Sequence, residues 1–321
     1  MLVLNRDRKG AVLSLPLLLL IGLASNAEAQ SPEPFQISVN VDLVVLNPVV
    51  RERNGQFASD LREPNFAVYE DGVRQSIKLF RHEDVPVTVG LVVDHSGSMK
   101  PKLRDVITAA RTFVQSSRPD DRMFVVNFNE NVTLSLPDAI QTGNLSDALA
   151  RAIADRPATG KTALYDAVLE AFDQLNAGGR PEKKVLIVIS DGGDNASKHR
   201  LAEVLKTAEQ SSALVYTIGI FDEDDPDQNP DVLSRLARAT GGDAFFPRQN
   251  SEVVTICEGI ARDIRNQYTI GYASSNAVRP GAWRSIRLTA AAPGHGKLVV
   301  RTRSGYIAGG ESKSQSPGES K

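Results

Sequence analysis

The stretch "GLVVDHSGSM", Gly90–Met99, joins two unlike textures. Four residues suited to a buried strand run directly into Asp94, and Ser96 and Ser98 follow at alternate positions. An apolar run this dense fits a strand covered on both faces. Its end in oxygen-bearing side chains spaced by two makes either a capped turn into a helix or part of a site that holds a cation.

Outward from this stretch, the region from about Val85 alternates strand-like and helix-like segments, the pattern of a parallel sheet with helices on both faces. The runs "VTVGLVV", "MFVVNF", "KVLIVIS" and "ALVYTIGI" read as core strands, and "DAFF" as a short last one. Between them "KLRDVITAARTFVQS", "LSDALARAIAD", "TALYDAVLEAFDQL", "RLAEVLKTAEQS" and "DVLSRLARAT" carry helical spacing, and "SEVVTICEGIARDIRNQ" closes the region near Gln267. "NVTLSL" follows the second strand too closely for a helical crossover, so an antiparallel edge strand is expected there. The flanks differ. Phe35 to Leu79 alternates apolar and polar residues, with a turn at "RNGQF" and two strands expected around Asp71-Gly72; "QYTIGYA", "RSIRLTA" and "KLVVRTR" return to β structure after the last helix. The expected fold class is a doubly wound, mostly parallel α/β domain with a small β module built from both flanks.

A chain of 321 residues with 41% apolar composition can bury one substantial core and a smaller satellite. Its first residues read as an export signal: Arg6, Arg8 and Lys9 precede an apolar run from Ala11 to Ala24, followed by the small-residue site Ala27-Glu28-Ala29. The run is interrupted by Pro16 and falls short of the ~20 residues that span a bilayer, which favours cleavage over anchoring. The expected organisation is a signal peptide at 1–29, a β segment at 30–84, the metal-binding α/β domain at 85–267, a second β segment at 268–308 and a disordered tail at 309–321, in an exported protein that is periplasmic or secreted. The formal charge of −2 becomes −3 once Arg6, Arg8, Lys9, Asp7 and Glu28 are removed, a balance with no footprint for nucleic acid or anionic membrane. No membrane span is expected after signal cleavage. The single cysteine, Cys257, lies on the apolar side of a helix and reads as a small core residue, which rules out an internal disulfide.

In an open parallel sheet, ligands bind beyond the carboxyl ends of the strands. Asp94, Ser96 and Ser98 belong at that edge, and two further loops should reach it: "TGKTALYDA", which contains Thr162, and "SDGGDN", which contains Asp191. Together they offer oxygen donors without histidine or thiolate, a set that selects magnesium, manganese or calcium over zinc or copper. Hydroxyl ligands bind a divalent ion without neutralising it. Where the two aspartates act largely through water, the ion keeps most of its charge and seeks an anionic ligand, so the site favours a protein partner that offers an Asp or Glu carboxylate.

At these residues the chain resembles the von Willebrand factor type A domains, whose metal-ion-dependent adhesion site (MIDAS) is D-x-S-x-S, then a threonine, then an aspartate. "DHSGS" supplies Asp94, Ser96 and Ser98, "GKTALYDA" the threonine at Thr162, and "SDGGDN" the aspartate at Asp191. The flanking "FAVYEDGVRQSI", "YTIGYA" and "RTRSGYIA" are similar to a bacterial secreted subgroup of these proteins. The resemblance implies a magnesium-type adhesion site and a binding role.

Plainer readings compete. Asp94 or Ser98 could cap a helix starting near Pro101, although capping does not account for matching polar loops at Thr162 and Asp191. His95 is expected at the rim, and Met99 and Phe128 in the core. "FDEDDPDQNPD", Phe221–Asp231, lacks the glycine and terminal glutamate of an EF-hand loop and reads as a solvated acidic loop. A metal-dependent phosphoester hydrolase using the same site is the alternative to a binding protein, but no G-x-S-x-G motif or histidine triad context is present, and a non-enzymatic role is expected.

Overall fold

A computed structural model describes residues 43–82, 84–140, 144–177, 183–221, 227–249, 251–276 and 280–308. The expected export signal at 1–29 and tail at 309–321 lie outside the described residues, as do residues 222–226 of the acidic loop. Among the described residues no helix is long and apolar enough to cross a membrane.

The α/β region holds strands β6 (Val87–Asp94), β7 (Arg122–Phe128), β8 (Val132–Ile140), β9 (Lys183–Ser190), β10 (Leu214–Gly219) and β11 (Ala244–Phe245), and helices α1 (Leu103–Gln115), α2 (Leu145–Ala154), α3 (Leu164–Ala177), α4 (Leu201–Gln210), α5 (Pro230–Thr240) and α6 (Glu252–Arg265). The strands form one six-stranded sheet in the order β11-β10-β9-β6-β7-β8. All neighbours are parallel except β8, which runs antiparallel to β7 at the edge, where the short connection requires it. Strand alternation splits the core in two. Val89, Leu91 and Val93 pack beneath α1, α2 and α6, whereas Val92 joins Phe124, Leu186 and Val188 beneath α3, α4 and α5. Gly90 lies on the second face, where a Cβ would sit 2.7 Å from Leu186 Cδ2 and 2.8 Å from Phe124 Cε2. The missing side chain is therefore the space that the Phe124 ring fills.

The flanks contribute β1 (Leu43–Leu46), β2 (Val49–Glu52), β3 (Phe66–Glu70), β4 (Val73–Gln75), β5 (Ile77–Arg81), β12 (Thr269–Ala273), β13 (Trp283–Ala290), β14 (Leu298–Arg301) and β15 (Gly305–Ile307). They pair across the ends of the chain, all antiparallel: β1 and β5 on β12, β3 and β15 on β13, and β14 on β2. Neither flank alone has the strands to bury a face, but together they enclose Leu46, Val50, Phe66, Val68, Tyr268, Ile270, Tyr272, Ile286 and Leu288. Where two strands are expected around Asp71-Gly72, three occur. Asp71 and Gly72, both at positive φ, turn β3 into β4, and after Ser76 the chain leaves that sheet so that β5 can pair with β12.

The flanks dock against α6 and the start of β11 through charge. Arg51 and Arg301 both pair with the buried Asp263 of α6, and Arg301 also reaches Asp243 at 2.5 Å. At the amino end of β9, Lys183 Nζ donates to the Gln267 carbonyl at 3.2 Å. The arginine–aspartate pairs thus join both flanks to α6 and to the segment before β11.

One flank contact is pH-dependent. His295 lies between two carboxylates, with Nδ1 2.9 Å from Glu52 Oε1 and Nε2 3.0 Å from Asp60 Oδ1. Glu52 also accepts from Asn54 Nδ2. Only a doubly protonated imidazole can donate to both acids, and hydrogen bonds to Glu52 and then Asp60 raise its pKa above the ordinary histidine value. A raised folded pKa means stability that is complete below the unfolded value of about 6.5 and is lost as pH rises through the folded value. The wild-type advantage over His295→Gln in urea unfolding should be present at mildly acid pH and shrink on going to pH 8; equal pH profiles for the two proteins would sink this reading. Gly90→Ala should destabilise the protein by about 1–3 kcal/mol through overpacking, and Phe124→Leu should recover part of that loss in the same unfolding assay.

Candidate metal centre

Strand order changes direction at β6: the chain leaves it toward β7 and returns past it to β9. The carboxyl edge between β6 and β9 is therefore a topological switch point, where a crevice opens. Asp94 ends β6 and Ser190 ends β9, with Val93 opposite Ile189 in parallel register. Asp94 is fully buried. Its Oδ1 accepts from the Ser96 amide at 2.7 Å, and its Oδ2 from Ser190 Oγ at 2.6 Å. Ser190 Oγ accepts in turn from the Gly192 amide at 3.0 Å.

Beyond Asp94 the chain turns through a short 3-10 segment, Gly97–Met99, before α1 begins at Leu103. This turn places Ser96 Oγ 3.1 Å from Ser98 Oγ, and Ser98 Oγ donates to Asp191 Oδ2 at 2.6 Å. Asp191 is buried, and its Oδ1 accepts from the Gly193 amide at 3.1 Å. Neither Asp94 nor Ser98 caps α1, whose N-cap position is Lys102 with no side-chain cap bond. The Asp94 carboxylate instead closes an Asx-type turn onto Ser96.

Thr162 arrives from the other side of β6, on the loop before α3. Gly160, at φ 85°, turns that loop, and its carbonyl accepts from the Gly97 amide at 3.4 Å. Thr159 N donates to the His95 carbonyl at 2.8 Å. The Thr162 loop thus abuts the serine turn through backbone contacts, with Thr162 itself 6% exposed. The structure joins Asp94, Ser96, Ser98 and Asp191 through hydrogen bonds that include Ser190, and sets Thr162 on the adjoining loop.

Burial pushes the Asp94 carboxyl up to about 6, and the charge of Asp191 adds to the rise; hydrogen bonds from Ser190 and Ser96 oppose it. Two carboxylates share a buried edge lined with hydroxyls, and a cation there would supply the missing positive charge. Among the described residues no group of three or more histidine, cysteine, aspartate or glutamate side chains converges on a metal position. The donor set is thus a hydroxyl-rich oxygen site, which fits a hard divalent ion and not a thiolate or imidazole metal.

His95 departs from expectation. It is buried, not at the rim, because its backbone bonds Phe128 on β7 and its ring turns inward beside Asn127 and the Arg156 backbone. Burial lowers its pKa below the ordinary histidine value, against the opposing pull of the Arg156 backbone and Asn127. Ser190, which bonds Asp94, is not among the sequence-predicted residues, although it directly precedes Asp191 in "SDGGDN".

A doubly wound sheet with this oxygen-lined crevice defines a class, and residues 88–257, just over half of the chain, match the von Willebrand factor type A domain. The protein belongs to that family. It is similar in fold to a solved structure of a von Willebrand factor type A protein from Catenulispora acidiphila, with a TM-score of 0.51 and 14% identity over 84% of this chain and 75% of that one. It is 27% identical over 227 residues to mouse inter-alpha-trypsin inhibitor heavy chain H2, covering 67% of this chain and 23% of that protein. It is also 26% identical over 172 residues to a Synechocystis protein described as uncharacterized, covering 53% of this chain and 40% of that one. The chain spans less than half the length of these curated relatives.

A proton on Asp94 competes with any cation at this edge. With the carboxyl titrating near 6, affinity for manganese should fall about tenfold from pH 7 to pH 5, measured by titrating EDTA-treated protein. A flat profile over that range would contradict the electrostatic account of the centre.

Proposed function

We propose that this protein is an exported, metal-dependent binding protein, periplasmic or secreted, that captures a carboxylate-bearing protein ligand through a magnesium-type adhesion site. Ser96, Ser98 and Thr162 hold the ion directly, and Asp94 and Asp191 act mainly through bound water. Magnesium is the ion expected, with manganese or calcium as substitutes. When bound, the ion supplies a positive charge that the hydroxyls leave largely unneutralised, which draws an Asp or Glu carboxylate from the partner.

The observation that carries this reading is the contact of Ser98 Oγ with Asp191 Oδ2 at 2.6 Å, which brings two separate sequence motifs to one buried edge. Membership of the von Willebrand factor type A family supports a binding role. Phosphoester hydrolysis at the same ion is the alternative, and nothing in the crevice favours it over binding.

Asp94→Ala and Ser98→Ala should each weaken magnesium or manganese binding by ~10 to 100-fold in calorimetry. The fold should persist with unchanged circular dichroism, because that loss is small against a domain stability of ~5 to 15 kcal/mol held by the apolar cores. Absence of saturable binding to the wild type at millimolar magnesium would remove the proposal. Recovery of one envelope protein with magnesium but not with EDTA would identify the partner, whereas magnesium-dependent phosphoester turnover would favour the enzyme.

A further inference from the structure

Thr162 differs from the other proposed ligands in how it is held. Asp94 and Asp191 each have two acceptor oxygens fixed by donors, and Ser96 and Ser98 share one tight turn. Thr162 sits on a loop between α2 and α3, where three successive amides, of Lys161, Thr162 and Ala163, donate to partners outside the loop. Lys161 N donates to Glu130 Oε2 at 2.9 Å, Thr162 N to Asn195 Oδ1 at 2.9 Å, and Ala163 N to the Asn129 carbonyl at 2.8 Å.

Asn195 holds Thr162 at two points. Its side-chain oxygen takes the Thr162 amide, and its own amide donates to the Thr162 carbonyl at 3.0 Å, beside that of Ala196. Its Nδ2 donates to Asp227 Oδ2 at 3.2 Å, which fixes the amide orientation because only nitrogen can donate to a carboxylate. Asn195 also lies four residues after Asp191 on the same loop. Ala196, Asp194 and Ser197 also bond the segment from Thr162 to Asp166, but among these bridges the Asn195 side chain is the one that takes the Thr162 amide.

This matters for a hydroxyl ligand. A neutral oxygen offers a cation little Coulomb energy, so its contribution depends on being held in place before the ion arrives. We infer that Asn195 is a positioning residue of the metal centre, one that fixes Thr162 against Asp191 through a two-point hydrogen-bonded clamp. The inference rests on the proposed metal-binding reading. It assigns no contact between Asn195 and the ion or its ligand.

Manganese binding to the EDTA-treated full chain, followed by the electron spin resonance signal of the free ion, tests it through a double-mutant cycle. Asn195→Ala should weaken manganese binding by about tenfold or more when Thr162 is present. In the Thr162→Ala background, the same change should cost less than about twofold, because its target is gone. The exchange Asn195→Asp with Asp227→Asn keeps an acceptor for the Thr162 amide and a donor-acceptor pair between positions 195 and 227. That protein should bind manganese within about threefold of the wild type, whereas Asn195→Asp alone sets two carboxylates together and should bind more weakly. Unchanged binding by Asn195→Ala, or losses that multiply in the double variant, would overturn the inference while leaving the metal centre standing. Unchanged binding by Thr162→Ala would overturn both. Should Asn195→Ala fail to fold, the exchange variant decides: loss of manganese binding in a folded exchange protein would refute the clamp.

Discussion

Two carboxylates forced to share one buried edge set the terms for the rest of this molecule. Parallel pairing of β6 with β9 brings Asp94 beside the segment that carries Asp191, and both are removed from water. Burial of like charges is costly, and it shows in the Asp94 carboxyl, raised to about 6. The surroundings answer with donors. Ser190 and the Ser96 amide hold Asp94, while Ser98 and the Gly193 amide hold Asp191. These donors spread the charge but do not cancel it, and the proposed metal binding rests on that remaining negative charge.

The doubly wound topology makes that arrangement possible. At β6 the order of strands reverses, so loops leave the sheet on opposite sides of one edge. The turn after β6 leads to α1 on one face, and the Thr162 loop opens α3 on the other. Neither helix has to move aside for the crevice to exist. The sheet beneath is packed on both faces without slack, as Gly90 under Phe124 shows, and a rigid floor holds the loops in register.

The flanks attach elsewhere. Their ionic contacts run through Asp263 of α6 and through Asp243 just before β11, toward the amino ends of the strands. Among the described residues the carboxyl edge is left free of them. The β module is therefore a second core joined at the back of the sheet, with its own apolar interior and its own pH-dependent contact at His295.

Local pattern determined much of this protein. Unbroken apolar runs gave the buried strands, helical spacing gave the covering helices, and the short step from "MFVVNF" to "NVTLSL" required the antiparallel edge. The spacing of Asp94, Ser96 and Ser98 marked the candidate site, because alternate residues of a tight turn can face the same point. Tertiary structure alone decided the rest. Nothing near His95 in the chain announces that its ring turns inward; the Phe128 carbonyl and Asn127, brought alongside by β7, do that. Ser190 acquires its role from Asp94, a residue 96 positions away, and Asn195 from Thr162, 33 positions away. Likewise, β5 leaves its neighbour β4 only because β12 offers it an edge. Periodicity encodes which face of an element is buried, but the partner of a polar group is fixed by strand register and loop closure, and those exist only once the sheet has formed.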